Sequence, residues 1–240
     1  MQLTEATWTD VRDVESDTAI LPVGSTEQHG PHAPLGTDAM SAAEIAARAA
    51  DEYDGDGELV VAPVVNVGVA EEHRQFDGTL WVSTDTFRAY VRETIESLAH
   101  HGFEHVVVVN GHGGNAAAVR EVCARITRDE TAYAVPYTWF DTVDSDLLAG
   151  LGHGGPIETS VVQAIDAGLI HEDRYQEAAA GAGERFGEWI SGVNVAYDFA
   201  EFAESGNVGD PSSASAERGE AVLDDAVEKL LVLIERIRAR

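Results

Sequence analysis

Carboxylates and imidazoles gather in three short stretches of this sequence, at spacings able to grip a divalent cation. The first is GSTEQHGPHAPLGTD, Gly24 to Asp38. Glu27 and His29 are two residues apart, so in extended backbone both side chains face the same way. Asp38 returns after a turn marked by Pro31, Pro34 and Gly36. One imidazole and two carboxylates suit Zn²⁺, Mn²⁺ or Fe²⁺, and Asp38 could bridge two ions. The second stretch is NGHGGN, Asn110 to Asn115, in which glycines around His112 let backbone approach a ligand closely. Its spacing fits neither nucleotide-binding glycine motif. The third is GHGGPIETS, Gly152 to Ser160, with His153 and, five residues on, Glu158. Helix capping is the alternative role for Glu158. Singly each stretch has a plain structural explanation; together they point to one cation site.

Elements that could position these stretches follow from the hydrophobic pattern. Thr18–Val23, Leu59–Val65, His105–Asn110 and Ala132–Pro136 are continuous apolar runs, the pattern of strands buried on both faces. Helices are predicted at Ser41–Asp51, Thr84–His100, Ala116–Arg128, Glu158–Gly168 and Arg218–Ala239. Their alternation with the strands predicts an α/β fold of one domain over 1–240, in three α/β/α layers around a mainly parallel sheet. Asp141–Gly152, Ala178–Gly187 and Gly206–Ala216 read as loops. In such sheets ligands bind beyond the carboxyl ends of the strands, where two of the three stretches fall directly.

Composition narrows the partners. With 15 Lys and Arg against 43 Asp and Glu, the net charge is −28. Such a field repels nucleic acid and anionic membrane, so neither is expected as a partner. Acids spread along the chain, with Lys229 the only lysine, fit a surface adapted to high salt and a halophilic host. The unpaired Cys123 and the absence of a secretory pattern at the start suggest a soluble, cytoplasmic protein.

The blocks PVGSTEQHGPHAPLGTD, HRQFDGTLWVS, VVVVNGHGGN, HGGPIETS and GNVGDPSSAS together resemble the creatininase family of metal-dependent amidohydrolases, over most of the chain. The resemblance implies that Glu27, Asp38 and His112 hold one ion, and that His29 with the shared Asp38 holds another. It also implies a small-molecule amide substrate and a homo-oligomer, commonly a hexamer. Creatinine-hydrolysing members carry a Tyr and a metal-binding Glu just after the histidine of the second block. Gly113 and Gly114 stand there instead, which argues against creatinine. Either Glu158 supplies the missing carboxylate or the second ion is weakly held. Relatives with this glycine form include archaeal formamidopyrimidine-nucleotide deformylases of flavin and deazaflavin synthesis, the favoured type here, and a peptidase of mycofactocin maturation. A non-catalytic metal-binding protein on the same scaffold is the alternative of another class.

The expected chemistry is attack of activated water on a formamide or cyclic amide carbon. His153 is the candidate general acid for the leaving nitrogen, since imidazole titrates near neutrality. Glu158 would bind the second ion or orient His153. For substrate contacts, His73, Gly113 and Asn115 are expected around the pocket, and Trp139 is expected to stack on a planar ring.

Overall fold

The computed structural model describes residues 1–240. Its frame is a four-stranded parallel sheet of β1 (Thr18–Val23), β2 (Leu59–Val61), β3 (His105–Asn110) and β4 (Tyr133–Thr138), in the order β2-β1-β3-β4. β1 and β3 run in register from Thr18 opposite His105 to Val23 opposite Asn110, so both end at the same level. Side chains alternate along them. Ile20, Val107 and Val109 enter one core, with residues of α2 (Thr37–Glu52), α5 (Pro156–Asp166) and α7 (Ala216–Arg238). Ala19, Leu21, Val106 and Val108 enter the other, with α3 (Thr84–His100) and α4 (Ala116–Arg128). Apolar residues on both faces of a strand demand two covering layers, which is why the runs are continuous. The expected three layers are therefore present.

α3 and α4 span the residues their patterns predict, and the Ser83 side chain caps α3 by accepting from the Thr86 N–H. Among the boundaries that differ from expectation, three bear on the frame or the site; α5 also starts at Pro156 rather than Glu158 and α7 at Ala216 rather than Arg218. β2 stops at Val61 rather than Val65, because Pro63 breaks the ladder; Val65 then makes a single bridge to Val23. β4 runs two residues past Pro136, which is tolerated because β4 lies at the sheet edge. α2 begins at Thr37 rather than Ser41, since Pro34 and Gly36 have already turned the chain, and this places Asp38 in its first turn.

Some elements were hidden in the sequence. α1 (Trp8–Asp13) is held by a capping box between Thr7 and Asp10. α6 (Tyr175–Gly181) takes up the start of the expected Ala178–Gly187 loop. β5 (Trp189–Ile190) and β6 (Val193–Asn194) pair as a hairpin across Ser191 and Gly192, both at positive φ as a tight turn demands. One glycine governs the approach of layers at the site. A Cβ on Gly111 would overlap the Asp38 carbonyl, so only glycine lets the end of β3 meet the first turn of α2.

Candidate metal centre and pocket

Six of the predicted residues, Glu27, His29, Asp38, His112, His153 and Glu158, converge just beyond β1 and β3. Glu27 follows β1 on extended backbone, its N–H donating to the Leu35 carbonyl at 2.9 Å. Asp38 comes from α2, His112 follows β3, and Glu158 lies in the first turn of α5. Three overlapping groups have ligand atoms mutually within 4.8 Å: Glu27, Asp38 and His112; His29, Asp38 and Glu158; and Glu27, His29 and His153. Asp38 belongs to the first two, its Oδ2 lying 3.2 Å from His112 Nδ1 and its Oδ1 3.0 Å from His29 Nε2.

Hydrogen bonds set which nitrogen of each imidazole is free. His29 Nδ1 lies 3.1 Å from the Glu27 carbonyl, to which it donates, leaving Nε2 to face Asp38 and, at 3.6 Å, Glu158. His112 Nε2 donates to the Val69 carbonyl at 2.7 Å, leaving Nδ1 toward Glu27 and Asp38. His153 Nε2 donates to the Gln28 carbonyl at 2.5 Å, leaving Nδ1 3.7 Å from Glu27 Oε1. Backbone carbonyls thus aim three imidazole lone pairs at one spot, the arrangement that orients ligands in metal sites.

The donor set fits divalent cations, by what it leaves unpaired. Both carboxylate oxygens of Glu27 and Oδ2 of Asp38 are buried and accept no hydrogen bond. A buried carboxylate without compensation costs several kcal/mol, so a site that leaves Glu27 wholly and Asp38 half unsatisfied is built for positive charge. The same field acts on the imidazoles. Burial opposes charge on His29, yet Asp38, Glu158 and Glu27 lift it to about 10. His112 is raised well above its usual value against the same effect of burial, by Glu27 and Asp38. Burial pushes Asp38 up, but His29 and His112 hold it well below the carboxylate range. Burial carries Glu158 to about 7.

Glu158 makes no bond to the N-cap of α5 and faces the cation site while bracing the turn ahead of the helix. One oxygen accepts the Gly154 N–H at 2.6 Å, bracing the turn before α5, and the same oxygen faces His29. His73 is buried. Gln28 Nε2 reaches its Nδ1 at 2.8 Å, so its Nε2 carries the proton and points to Glu27 Oε1 at 3.3 Å. Its ring also stacks on Phe199, with centroids 4.0 Å apart. Burial and the His29 and His112 charges lower His73 to about 3, and burial with His29 and His73 keeps His153 neutral.

The cavity over these residues has a volume of about 310 Å³. Its walls include Glu72, His73, Gly113, Gly114, Phe140, Leu151, Phe186 and Phe199. Two expected substrate contacts lie elsewhere. Trp139 is 1% exposed and packs in the core of α2, α5 and α7, because the turn after β4 sends it inward and its neighbour Phe140 to the cavity. Asn115 spends its amide on the scaffold, accepting from the Val69 N–H at 3.0 Å and donating to the Gly24 carbonyl at 2.9 Å. Gln28 was not singled out, although its place between Glu27 and His29 turns it to the opposite side, toward His73. Phe186, Phe199 and Leu151 come from stretches whose sequence carries no periodic signal. Cys123 is buried, its thiol pushed up to about 12, and takes no part.

Known proteins resemble this chain in sequence and in fold. The family model for creatininase, described as creatinine amidohydrolase, matches residues 4–234. A mycofactocin precursor peptide peptidase of Mycolicibacterium smegmatis is 33% identical over 220 residues, 90% of this chain and 84% of that protein. The creatinine amidohydrolase of Pseudomonas putida is 26% identical over 250 residues, 93% of this chain and 92% of that protein. A 2-amino-5-formylamino-6-ribosylaminopyrimidin-4(3H)-one 5'-monophosphate deformylase of Methanobrevibacter smithii is 31% identical over 156 residues, 64% of this chain and 61% of that protein. Among solved structures, a mutant creatininase of Zn–Zn type superposes with a TM-score of 0.84 at 23% identity, over 98% of this chain and 97% of that one. A structure titled creatininase Mn gives 0.82 at 23%, with the same coverage.

Proposed function

The chain belongs to the creatininase family of metal-dependent amidohydrolases, and on that premise we propose that it removes the formyl group from a formylamino substituent on a planar nitrogen heterocycle. The observation that carries this reading is the cavity itself. Glu27, with both carboxylate oxygens unsatisfied, and Asp38, with one, lie buried at its base, and aromatic rings of Phe140 and Phe199 stand on its walls. Aromatic walls favour a flat ring, and a cavity of about 310 Å³ limits how much of a substrate they enclose. The deformylase likeness supports the same class. No arginine or lysine lines the cavity, so a phosphate on the substrate would project beyond its walls.

Glu27, Asp38 and His112 would hold one divalent cation, and His29, Asp38 and Glu158 a second, with Asp38 shared. Glu158 then stands in for the carboxylate that Gly114 lacks. When bound, the cations acidify water and polarise the amide carbonyl. His153, neutral and with Nδ1 free, accepts a proton from the attacking water and delivers it to the leaving nitrogen. His73 lies against Glu27, its Nε2 3.3 Å from Oε1, and its position on the wall also lets it meet the substrate. Gly113, where a side chain would meet open space, leaves room for that substrate.

A second reading is cleavage of a peptide amide. The likeness to the mycofactocin precursor peptidase covers more of the chain than the deformylase likeness does, and the exposed apolar residues at the mouth suit a peptide. Homo-oligomerisation belongs to the proposal too, with Trp189, Ile190 and Val193 of the hairpin as exposed apolar contacts. The test is turnover by the Zn²⁺- or Mn²⁺-loaded protein of a formylaminopyrimidine, creatinine and short peptides, each repeated after chelation. Chelator-sensitive release of formate from the formylaminopyrimidine alone is the expected result. Release of amino acids from peptides, with no formate, would transfer the assignment to the second reading.

A further inference from the structure

Glu72 is a carboxylate on the cavity wall with no role in the cation site. It sits in the turn Glu71–His73, where its neighbours are fixed. His73 is held by Gln28 and Glu27 and stacks on Phe199, while Arg74 pairs with Glu71 and Asp198. Glu72 itself forms no ion pair with any arginine, lysine or histidine, although it is partly buried and burial raises it above the usual carboxylate range. Its carboxylate depends on Gly114. A Cβ there would come within 3.0 Å of Glu72 Oε1, and would also overlap the Val69 carbonyl and His112 Nε2. The glycine that removes one carboxylate from the second block therefore leaves space for another, arriving from a different loop.

We propose that Glu72 is a specificity-determining residue, whose carboxylate accepts hydrogen bonds from an amino group carried by the substrate next to its scissile amide. The chemistry supports an N–H donor over any other group. The wall has no arginine or lysine to pair with Glu72, the His112 Nε2–H is spent on the Val69 carbonyl, an anionic substituent would be repelled, and an apolar one would bury the carboxylate unsatisfied. The proposal rests on the formamide reading above, in that the formylaminopyrimidine carries amino substituents on its ring.

A matched pair of probes tests it. Formanilide and 2-aminoformanilide present the same scissile bond and differ by one amino group. The metal-loaded protein is expected to prefer 2-aminoformanilide by about 10-fold to 100-fold in kcat/KM, the range over which a paired polar group discriminates. E72Q, which keeps shape and one acceptor, should retain a reduced preference. E72A should hydrolyse both probes alike, and both variants should keep wild-type metal content. An unchanged preference in E72A, or loss of metal from E72Q, overturns the proposal. Equilibrium binding of 1,2-phenylenediamine against aniline to the same metal-loaded proteins needs no turnover. Discrimination present in wild type and absent in E72A supports Glu72 even if neither formamide is cleaved, an outcome that would remove only the formamide reading. Equal binding of the two amines by wild type counts against Glu72 itself.

Discussion

On the sheet side of the cavity, Glu27, His29, Asp38 and His112 are buried, and a backbone carbonyl fixes the free nitrogen of each imidazole. On the opposite side, Phe186 is half exposed and leads into a hairpin whose Trp189, Ile190 and Val193 all face outward. The sheet side gains its precision from strand ends held in register and from glycines that allow backbone contact. The hairpin side has two short strands and few buried contacts, the features of a region that opens at low cost. The candidate ligands therefore sit where the fold is least deformable, and part of the cavity mouth lies where it is most adaptable.

Substitutions can break this contrast. The largest effect is expected for D38N, because Asp38 serves both cation sets: metal content should fall below one ion per chain, and turnover by about three orders of magnitude or more. H153A should keep its metal and lose about 10²-fold to 10⁴-fold in kcat, the usual contribution of a proton carrier. Metal lost together with rate would make His153 a ligand instead. Next comes pH. His29, raised to about 10, and His112, raised likewise, hold protons at neutral pH that a cation must displace. Binding of Zn²⁺ should thus release about one to two protons per chain near neutral pH and weaken as pH falls. Calorimetry in buffers of different ionisation enthalpy counts them, and a count of zero would contradict the ligand assignment. The smallest effects separate two aromatic residues. F186A should raise KM about 10-fold with metal content intact, one apolar contact being worth roughly that much. W139F should leave kcat/KM within about 2-fold and lower Tm by a few degrees, as a change in the core does.

The parallel frame was legible because the runs buried on both faces, such as Val106–Val109, leave little choice of element. The convergence of candidate ligands was legible because cation binding restricts residue types so severely that Glu27, His29, Asp38, His112 and Glu158 stand out, and these side chains do meet in the fold. What could not be read was direction. Trp139 and Phe140 are adjacent aromatics, and only the turn after β4 decides which one meets the cavity. Asn115 looked available for substrate because its two backbone partners, Val69 and Gly24, are far away in the chain. Nothing in the sequence singled out Glu72, whose neighbour Gly114 lies far away in the chain and meets it only in the fold.

The two sides of the cavity touch through a file of rings. His29 lies 4.2 Å from His153, His153 lies 4.5 Å from His73, and His73 stacks on Phe199, measured between centroids. Phe199 meets Phe186 edge-on at 6.0 Å, just ahead of the hairpin. An occupant that shifts Phe199 would lean on His73 and on His153, the proposed proton carrier, which would join seating of the substrate to its cleavage in one mechanical event.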